Sequence, residues 1–184
     1  MKTADIRFLF QQEFDQGNFV TDRSGQKTLE ILGASFVADE PAIVGQPNMD
    51  YIRKELAWYA TQSLNINDMP DPPEQWRKTA GKHGDINSNY GYLLYHESNG
   101  AQYHHVYDEL SRNPDSRRAC AIYTRPTMWQ DYQRDGCNDF ICTNAVTYYV
   151  RDERVHAVVQ MRSNDAVYGY KNDRAWQQTV LFRL

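Results

Sequence analysis

The run CTNAVTYYVRDERVHAVVQMR, residues 142–162, decides the fold class. Asn144, Val146, Tyr148 and Val150 alternate along one arm, and Val155, Ala157, Val159 and Met161 along the other. Period-two alternation puts each set on one face of a strand. The polar Arg151-Asp152-Glu153-Arg154 joins the arms, so the spacing predicts a β-hairpin. Just upstream, residues 119–124 form a short apolar run that reads as a buried strand, which would place Cys120 in the core. Cys137, in a polar stretch, reads as an exposed loop thiol.

Helices flank these strands. Ile6, Leu9, Phe10 and Phe14 have helical spacing over residues 3–16. Ile52, Leu56, Tyr59 and Leu64 line one face over residues 49–64. Residues 101–112 read as a helix ended by Asn113-Pro114. A last helix starting near Asn172 would bury Trp176, Val180 and Leu184. Two short β-like runs surround the turn-forming Asp22-Arg23-Ser24-Gly25, the second covering residues 28–37. Pro70, Pro72 and Pro73 open a long loop. Hairpin-like strands among helices predict an α+β domain. With 184 residues, one domain over 1–184 is expected.

Composition narrows the function classes. Apolar residues make up 41% and charged residues 24%, as in a globular chain. A net charge of −4 does not suggest a direct nucleic-acid partner, which calls for a basic surface. There is no run of about 18 apolar residues to cross a membrane. Three cysteines, an odd number, argue for a reducing, cytoplasmic setting. No Cys/His spacing suggests a metal site, and the adjacent His104-His105 point in different directions.

Short segments carry the functional signal. Glu55-Leu56-Ala57-Trp58-Tyr59, Asn89-Tyr90-Gly91, Asn113-Pro114-Asp115-Ser116-Arg117-Arg118, Phe140-Ile141-Cys142-Thr143-Asn144, Arg162-Ser163-Asn164-Asp165 and Gly169-Tyr170-Lys171-Asn172-Asp173 follow one another in order. In that order and spacing they resemble the thymidylate synthase superfamily over nearly the whole chain. Gly33-Ala34-Ser35-Phe36-Val37-Ala38-Asp39-Glu40-Pro41 and Asn87-Ser88-Asn89-Tyr90-Gly91 look like its branch of deoxycytidylate hydroxymethylases from virulent tailed phages. So does Thr143, where the synthases usually carry histidine.

The resemblance implies a curved mixed sheet flanked by helices, and a homodimer formed back to back through the sheet. It implies transfer of a one-carbon unit from 5,10-methylenetetrahydrofolate to C5 of dCMP with hydration, and no metal. C5 of a pyrimidine is a poor nucleophile; a thiolate added at C6 makes it enamine-like. Cys142 matches the family's nucleophile and Arg162 the residue beside it, although a lone cysteine is more often a small core residue. Glu55 matches the acid that relays protons near the base, and Tyr90 a tyrosine near the reacting carbon. Arg23, Arg162 and Ser163 match the phosphate ligands of the same chain, and Arg117 and Arg118 the pair reaching the partner subunit's site. Asp165 matches the aspartate that contacts the folate pterin. Asp173 stands where the synthases carry asparagine; a carboxylate accepts from the N4 amino group of cytosine. The family continues past the last helix with strands bearing a His and a Tyr for the deoxyribose. The sequence ends at Leu184, so these strands are expected to be missing, the chain being either a fragment or a naturally short form. Two rival functions follow. One is a non-catalytic nucleotide-binding or partner subunit of the same fold. The other is a dUMP methylase or hydroxymethylase.

Overall fold

A computed structural model describes residues 1–22 and 25–184. In chain order its elements are α1 (Thr3–Asp15), β1 (Val20–Thr21), β2 (Lys27–Thr28), α2 (Met49–Thr61), α3 (Glu74–Thr79), α4 (Tyr90–Tyr95), α5 (Gln102–Arg112), β3 (Cys120–Ile122), α6 (Met128–Asp131), β4 (Thr143–Arg151), β5 (Arg154–Met161) and α7 (Gly169–Leu181). The expected α+β class is what forms. The chain divides into two compact units, Met1–Pro47 with Asp165–Ala175, and Asn48–Asn164 with Trp176–Leu184.

In the first unit, the Asp5 carboxylate accepts from the Lys2 backbone N–H at 2.7 Å and opens α1. Ile6 on α1 packs with Ile43 and Tyr170, with Leu9, Phe10 and Phe36 around them. Arg7 grips Glu40 with one guanidinium nitrogen at 2.7 and 2.8 Å from its two oxygens. The β-like run expected over 28–37 shrinks to β2, which among the described residues pairs with β1. Past it, Gly33 lies at φ 70°, a left-handed conformation that interrupts an extended chain. The first half of α7 carries Tyr170, whose hydroxyl donates to the Glu40 carbonyl at 2.9 Å, and Arg174, whose Nε donates to the Ala38 carbonyl at 2.9 Å. Helix α7 begins at Gly169, so Asn172 lies inside the helix and does not cap it. The Asp165 carboxylate accepts from the backbone N–H groups of Val167 and Tyr168 and turns the chain into the helix earlier than expected.

The second unit holds the larger core, and the hairpin is its spine. Strands β3, β4 and β5 form one antiparallel sheet in that order. Ala121, Val146 and Tyr148 are fully buried on one face, against Trp58, Tyr90, Leu93, Trp176 and Val180. The burial of Trp176 and Val180 follows the sequence pattern, while Leu184 is only half-buried. β5 is an edge strand: Val155 and Ala157 are half-buried but Val159 is exposed, so the inward alternation fades toward its end. Both sheets are antiparallel; parallel pairing among the described residues is limited to a bridge between Lys2 and Val37. The other sheet face leaves Ile122 58% and Val158 53% exposed.

Cys120 is on that open face, which corrects its assignment to the core. Ala121 points inward, so period two turns Cys120 outward. Cys137 is also corrected: it is buried, with its sulfur 3.7 Å from the Asn87 amide nitrogen. The long loop after Pro73 contains α3 and α4, two short helices that the proline signal concealed. Helix α2 stops at Thr61, three residues short of the expected span, because Gln62 adopts φ 57° and ψ 19°.

Candidate active site

Strand β4 begins from an irregular run, residues 137–142. Pairing steps from Thr143–Met161 to Ala145–Gln160, so β4 carries one extra residue, a bulge at Asn144. The bulge turns Thr143 inward, where it is fully buried and its hydroxyl donates to the Tyr90 hydroxyl at 3.0 Å. Tyr90 opens α4 and stacks on Tyr59 of α2 with ring centroids 5.4 Å apart. The Asn89 side chain caps α4 by accepting from Tyr92 N–H, and donates to the carbonyls of Trp58 and Ser63. A Cβ on Gly91 would lie 1.8 Å from the Tyr59 carbonyl oxygen, so only glycine permits this approach of α4 to α2. The triplet Asn89-Tyr90-Gly91 is thus one packing device that sets Tyr90 behind the residue after Cys142.

Cys142 is half-buried, and Arg162 at the end of β5 lies against it. The Arg162 backbone N–H donates to the Cys142 carbonyl at 2.9 Å. Its Nε donates to the Ile141 carbonyl at 2.9 Å and its Nη2 to the Phe140 carbonyl at 2.7 Å. The same Nη2 is 3.5 Å from the Cys142 sulfur, and the guanidinium sits 5.0 Å over the Phe140 ring. A permanent cation at this distance favours the thiolate over the thiol. The structure thus brings Arg162 and Cys142 together.

Glu55 on α2 is 5% exposed. It accepts from the Tyr51 hydroxyl at 2.6 Å and from the Trp76 indole N–H at 3.2 Å. Burial pushes its carboxyl up, against those two hydrogen bonds. A carboxyl so placed can hold a proton where an exposed one would not. Tyr51 and Trp76 did not stand out in the sequence; Trp76, on a helix hidden after the prolines, had no visible link to Glu55.

Arg117 and Arg118 lie exposed just before β3. Arg118 donates to Glu109 at 3.2 Å, where the Ser116 hydroxyl bond, ahead of the Arg118 charge, holds the Glu109 carboxyl down. An ion pair this exposed is worth little and is easily exchanged for another anion. Ser163 is exposed beside Arg162. In the other unit, Asp165 is exposed, one carboxylate oxygen holding the turn into α7, and Asp173 is half-buried on that helix. Arg23 lies outside the described residues. The described residues contain no cluster of three or more His, Cys, Asp or Glu side chains placed to hold a metal ion. None of their helices is long and apolar enough to cross a membrane.

Comparison with known proteins fits this geometry. The family model described as thymidylate synthase matches residues 8–182. The chain belongs to the thymidylate synthase family. It is 50% identical over 185 aligned residues to the deoxycytidylate 5-hydroxymethyltransferases of Enterobacteria phages T4, T2 and T6, covering 100% of this chain and 75% of each relative. Thermostable thymidylate synthase A from Bacillus subtilis superposes with a TM-score of 0.54 at 25% identity, over 71% of this chain and 48% of that one. The chain thus spans three quarters of the length of these curated relatives and about half that of the solved synthase.

Within this thymidylate synthase fold, one buried group had no counterpart in the sequence reading. Asp139 is 7% exposed and accepts from the backbone N–H groups of Asn87 and Ser88, both at 2.7 Å, and from the Ser88 hydroxyl at 2.6 Å. The available signal was its position, an acid directly before the apolar pair Phe140-Ile141.

Proposed function

We propose that this protein is a deoxycytidylate 5-hydroxymethyltransferase that converts dCMP, water and 5,10-methylenetetrahydrofolate to 5-hydroxymethyl-dCMP and tetrahydrofolate. The observation that carries the reading is the Arg162 guanidinium 3.5 Å from the Cys142 sulfur, in a chain 50% identical to enzymes of that name. The Cys142 thiolate adds to C6, and C5 becomes nucleophilic. The exposed carboxylate of Asp165 suits the N–H donors of a reduced pterin, so the residues fit the folate. When bound, the folate supplies a one-carbon unit at the oxidation level of formaldehyde. Glu55, its carboxyl raised by burial, moves protons to and from the substrate through water. Once C5 carries the methylene, loss of the C5 proton expels tetrahydrofolate, and water adds to the exocyclic methylene carbon. The electron pair returns to C5 and expels the Cys142 thiolate from C6. Tyr90 fixes Thr143 and hence the backbone that follows the nucleophile.

Arg162 and Ser163, with Arg23, bind the nucleotide phosphate by charge-assisted bonds. Arg117 and Arg118 act on the partner subunit's nucleotide in a homodimer. The open sheet face with Ile122 and Val158 supports such an assembly, since apolar side chains grouped on a strand face seek cover. Light scattering should then give twice the chain mass; a monomer at working concentration removes this role from the two arginines. The setting of the reaction is the cytoplasm of an infected bacterial host.

Asp173 selects the base. As a carboxylate it accepts from N4 of cytosine, whereas an amide complements O4 and N3–H of uracil. Asp173→Asn is expected to lower the ratio of kcat/KM for dCMP over dUMP by about one to two orders of magnitude, the loss of one charge-assisted bond. An unchanged ratio removes Asp173 from the base edge. The reaction itself is tested by mass spectrometry for 5-hydroxymethyl-dCMP with absorbance for dihydrofolate. Dihydrofolate would mark a methylase, and the absence of any product would mark a binding subunit.

A further inference from the structure

The backbone from Asp139 to Cys142 is buried or half-buried and belongs to no strand or helix. Buried irregular backbone must be fixed by other means. Here each residue has its own. The Asp139 carboxylate takes three donors from Asn87 and Ser88. The Asn87 amide donates back to the Asp139 carbonyl at 2.9 Å. The Phe140 and Ile141 carbonyls take the Arg162 guanidinium, and the same Nη2 then meets the sulfur. Beyond Cys142, Thr143 is tied to Tyr90. The nucleophile therefore lies between two pins on one short piece of chain, residues 87–90.

The two pins differ. Thr143 and Tyr90 share one bond between neutral hydroxyls. Asp139 makes three bonds with a charged group, and such bonds are roughly twice as strong as neutral ones. Desolvating a carboxylate is costly, and burial does push the Asp139 carboxyl up, against its hydrogen bonds and the charge of Arg162. A neutral amide or an apolar side chain would avoid that cost. A carboxylate retained at such a site, beside Arg162, suits a task of placement.

We propose that Asp139 is a positioning residue for the nucleophile: by clasping Asn87 and Ser88 it sets the carbonyls of Phe140 and Ile141 so that Arg162 meets the Cys142 sulfur. This rests on the reading of Cys142 as the nucleophile. The charged and titratable groups that the described contacts place on residues 137–143 are Arg162 just past β5, Tyr90 from α4, Tyr132 against Phe140, Asp85 and Arg134 near Cys137, and Cys137, Asp139 and Cys142 within the run.

The test is alkylation of Cys142 by iodoacetamide in the full chain without substrate, followed by peptide mass across pH. Asp139→Asn keeps the size but gives a second donor to face Ser88. It is expected to slow Cys142 alkylation at neutral pH about ten-fold, the effect of losing roughly 1.4 kcal/mol of placement, and to move the apparent thiol pKa up. Ser88→Ala should act in the same direction, by less, and still melt cooperatively, at a somewhat lower temperature than the parent. Removing a nearby negative charge would by itself move the thiol pKa down, so a downward shift overturns the proposal. So does alkylation at the parent rate in both variants. If Asp139→Asn does not fold, Ser88→Ala decides alone, and a parent rate there overturns it. If the variants slow alkylation but the parent yields no 5-hydroxymethyl-dCMP, the placement role stands and the reaction assignment falls.

Discussion

The run of residues 137–143 and the hairpin that follows it reach their shapes in opposite ways. The hairpin is held by a regular ladder of backbone bonds, and its side chains need only alternate. The run before it is held by side chains reaching in from elsewhere: Ser88, Tyr90 and Arg162. Its two cysteines, in one short stretch, meet different fates. Cys137 is buried and burial pushes its thiol up, while Cys142 faces a guanidinium. Residue type is the same; what differs is that burial and the carboxylates of Asp139 and Asp85 outweigh the Arg134 charge at Cys137, whereas a guanidinium touches the sulfur of half-buried Cys142. The difference teaches that reactivity belongs to the region whose geometry is set by specific bonds, and robustness to the region set by repetition.

The largest expected break lies between the cysteines. Cys142→Ala should lose about four orders of magnitude or more in turnover, the scale seen when a covalent nucleophile is removed. Cys137→Ala should keep turnover within a few-fold and cost about 1 kcal/mol of stability, as a small buried truncation does. Turnover by Cys142→Ala near the parent rate would erase the distinction.

Glu55 sharpens the same point, because it is a buried acid with neutral partners, Tyr51 and Trp76, where Cys142 has a cation. Glu55→Gln should lower kcat by roughly 10²- to 10⁴-fold, the usual weight of a general acid or base. Its effect on stability should run the other way. The folded pKa of Glu55 is raised above 4.5, so the folded state holds the proton longer than the unfolded chain. That contribution is complete below about 4.5 and is lost as pH rises through the folded value. Melting temperatures of parent and variant should therefore diverge in favour of Glu55→Gln as pH rises from acid to neutral. Parallel curves would show that the carboxyl is not held up by its surroundings.

The hairpin supplies the smallest effect and the cleanest contrast. Asp152 and Glu153 join the arms at φ 51° and 58°, both in the left-handed region that favours Asn and Gly. Replacing them by Asn-Gly should stabilise the fold by about 0.5–1 kcal/mol in a denaturation curve and leave turnover unchanged. A change in turnover would mean that the far end of the hairpin communicates with Cys142.

Legibility in the sequence divided along the same line. The hairpin, α1, α2 and α5 could be read because repetition leaves a period in the residues. Helix α4 could not: Tyr90 to Tyr95 is short, and Gly91 looks like a breaker until the Tyr59 carbonyl is seen against it. Cys120 and Cys137 were misplaced because burial of a strand run depends on what covers each face, and burial of a polar run on what reaches into it. In the candidate site, Cys142 and Arg162 could be paired through motif order, and their contact is in the structure. Asp139, Tyr51 and Trp76 could not, since their bonds join segments with no shared pattern. Asp173 and Asp165 were named by resemblance; their own segment shows a half-buried helix residue and a turn former.

The extra residue at Asn144 acts as a phase shift between two alphabets. Downstream of it, even-numbered Val146 and Tyr148 face the core; upstream, odd-numbered Thr143 does. A strand has only two phases, so one residue more or less is the whole difference between them. Closing the bulge would keep every side chain and every strand, yet return the even phase to the core, with Thr143 turned out and Cys142 turned in. The thiol would then be packing material. At this point in the chain, whether the cysteine is positioned for chemistry or for packing is a matter of counting.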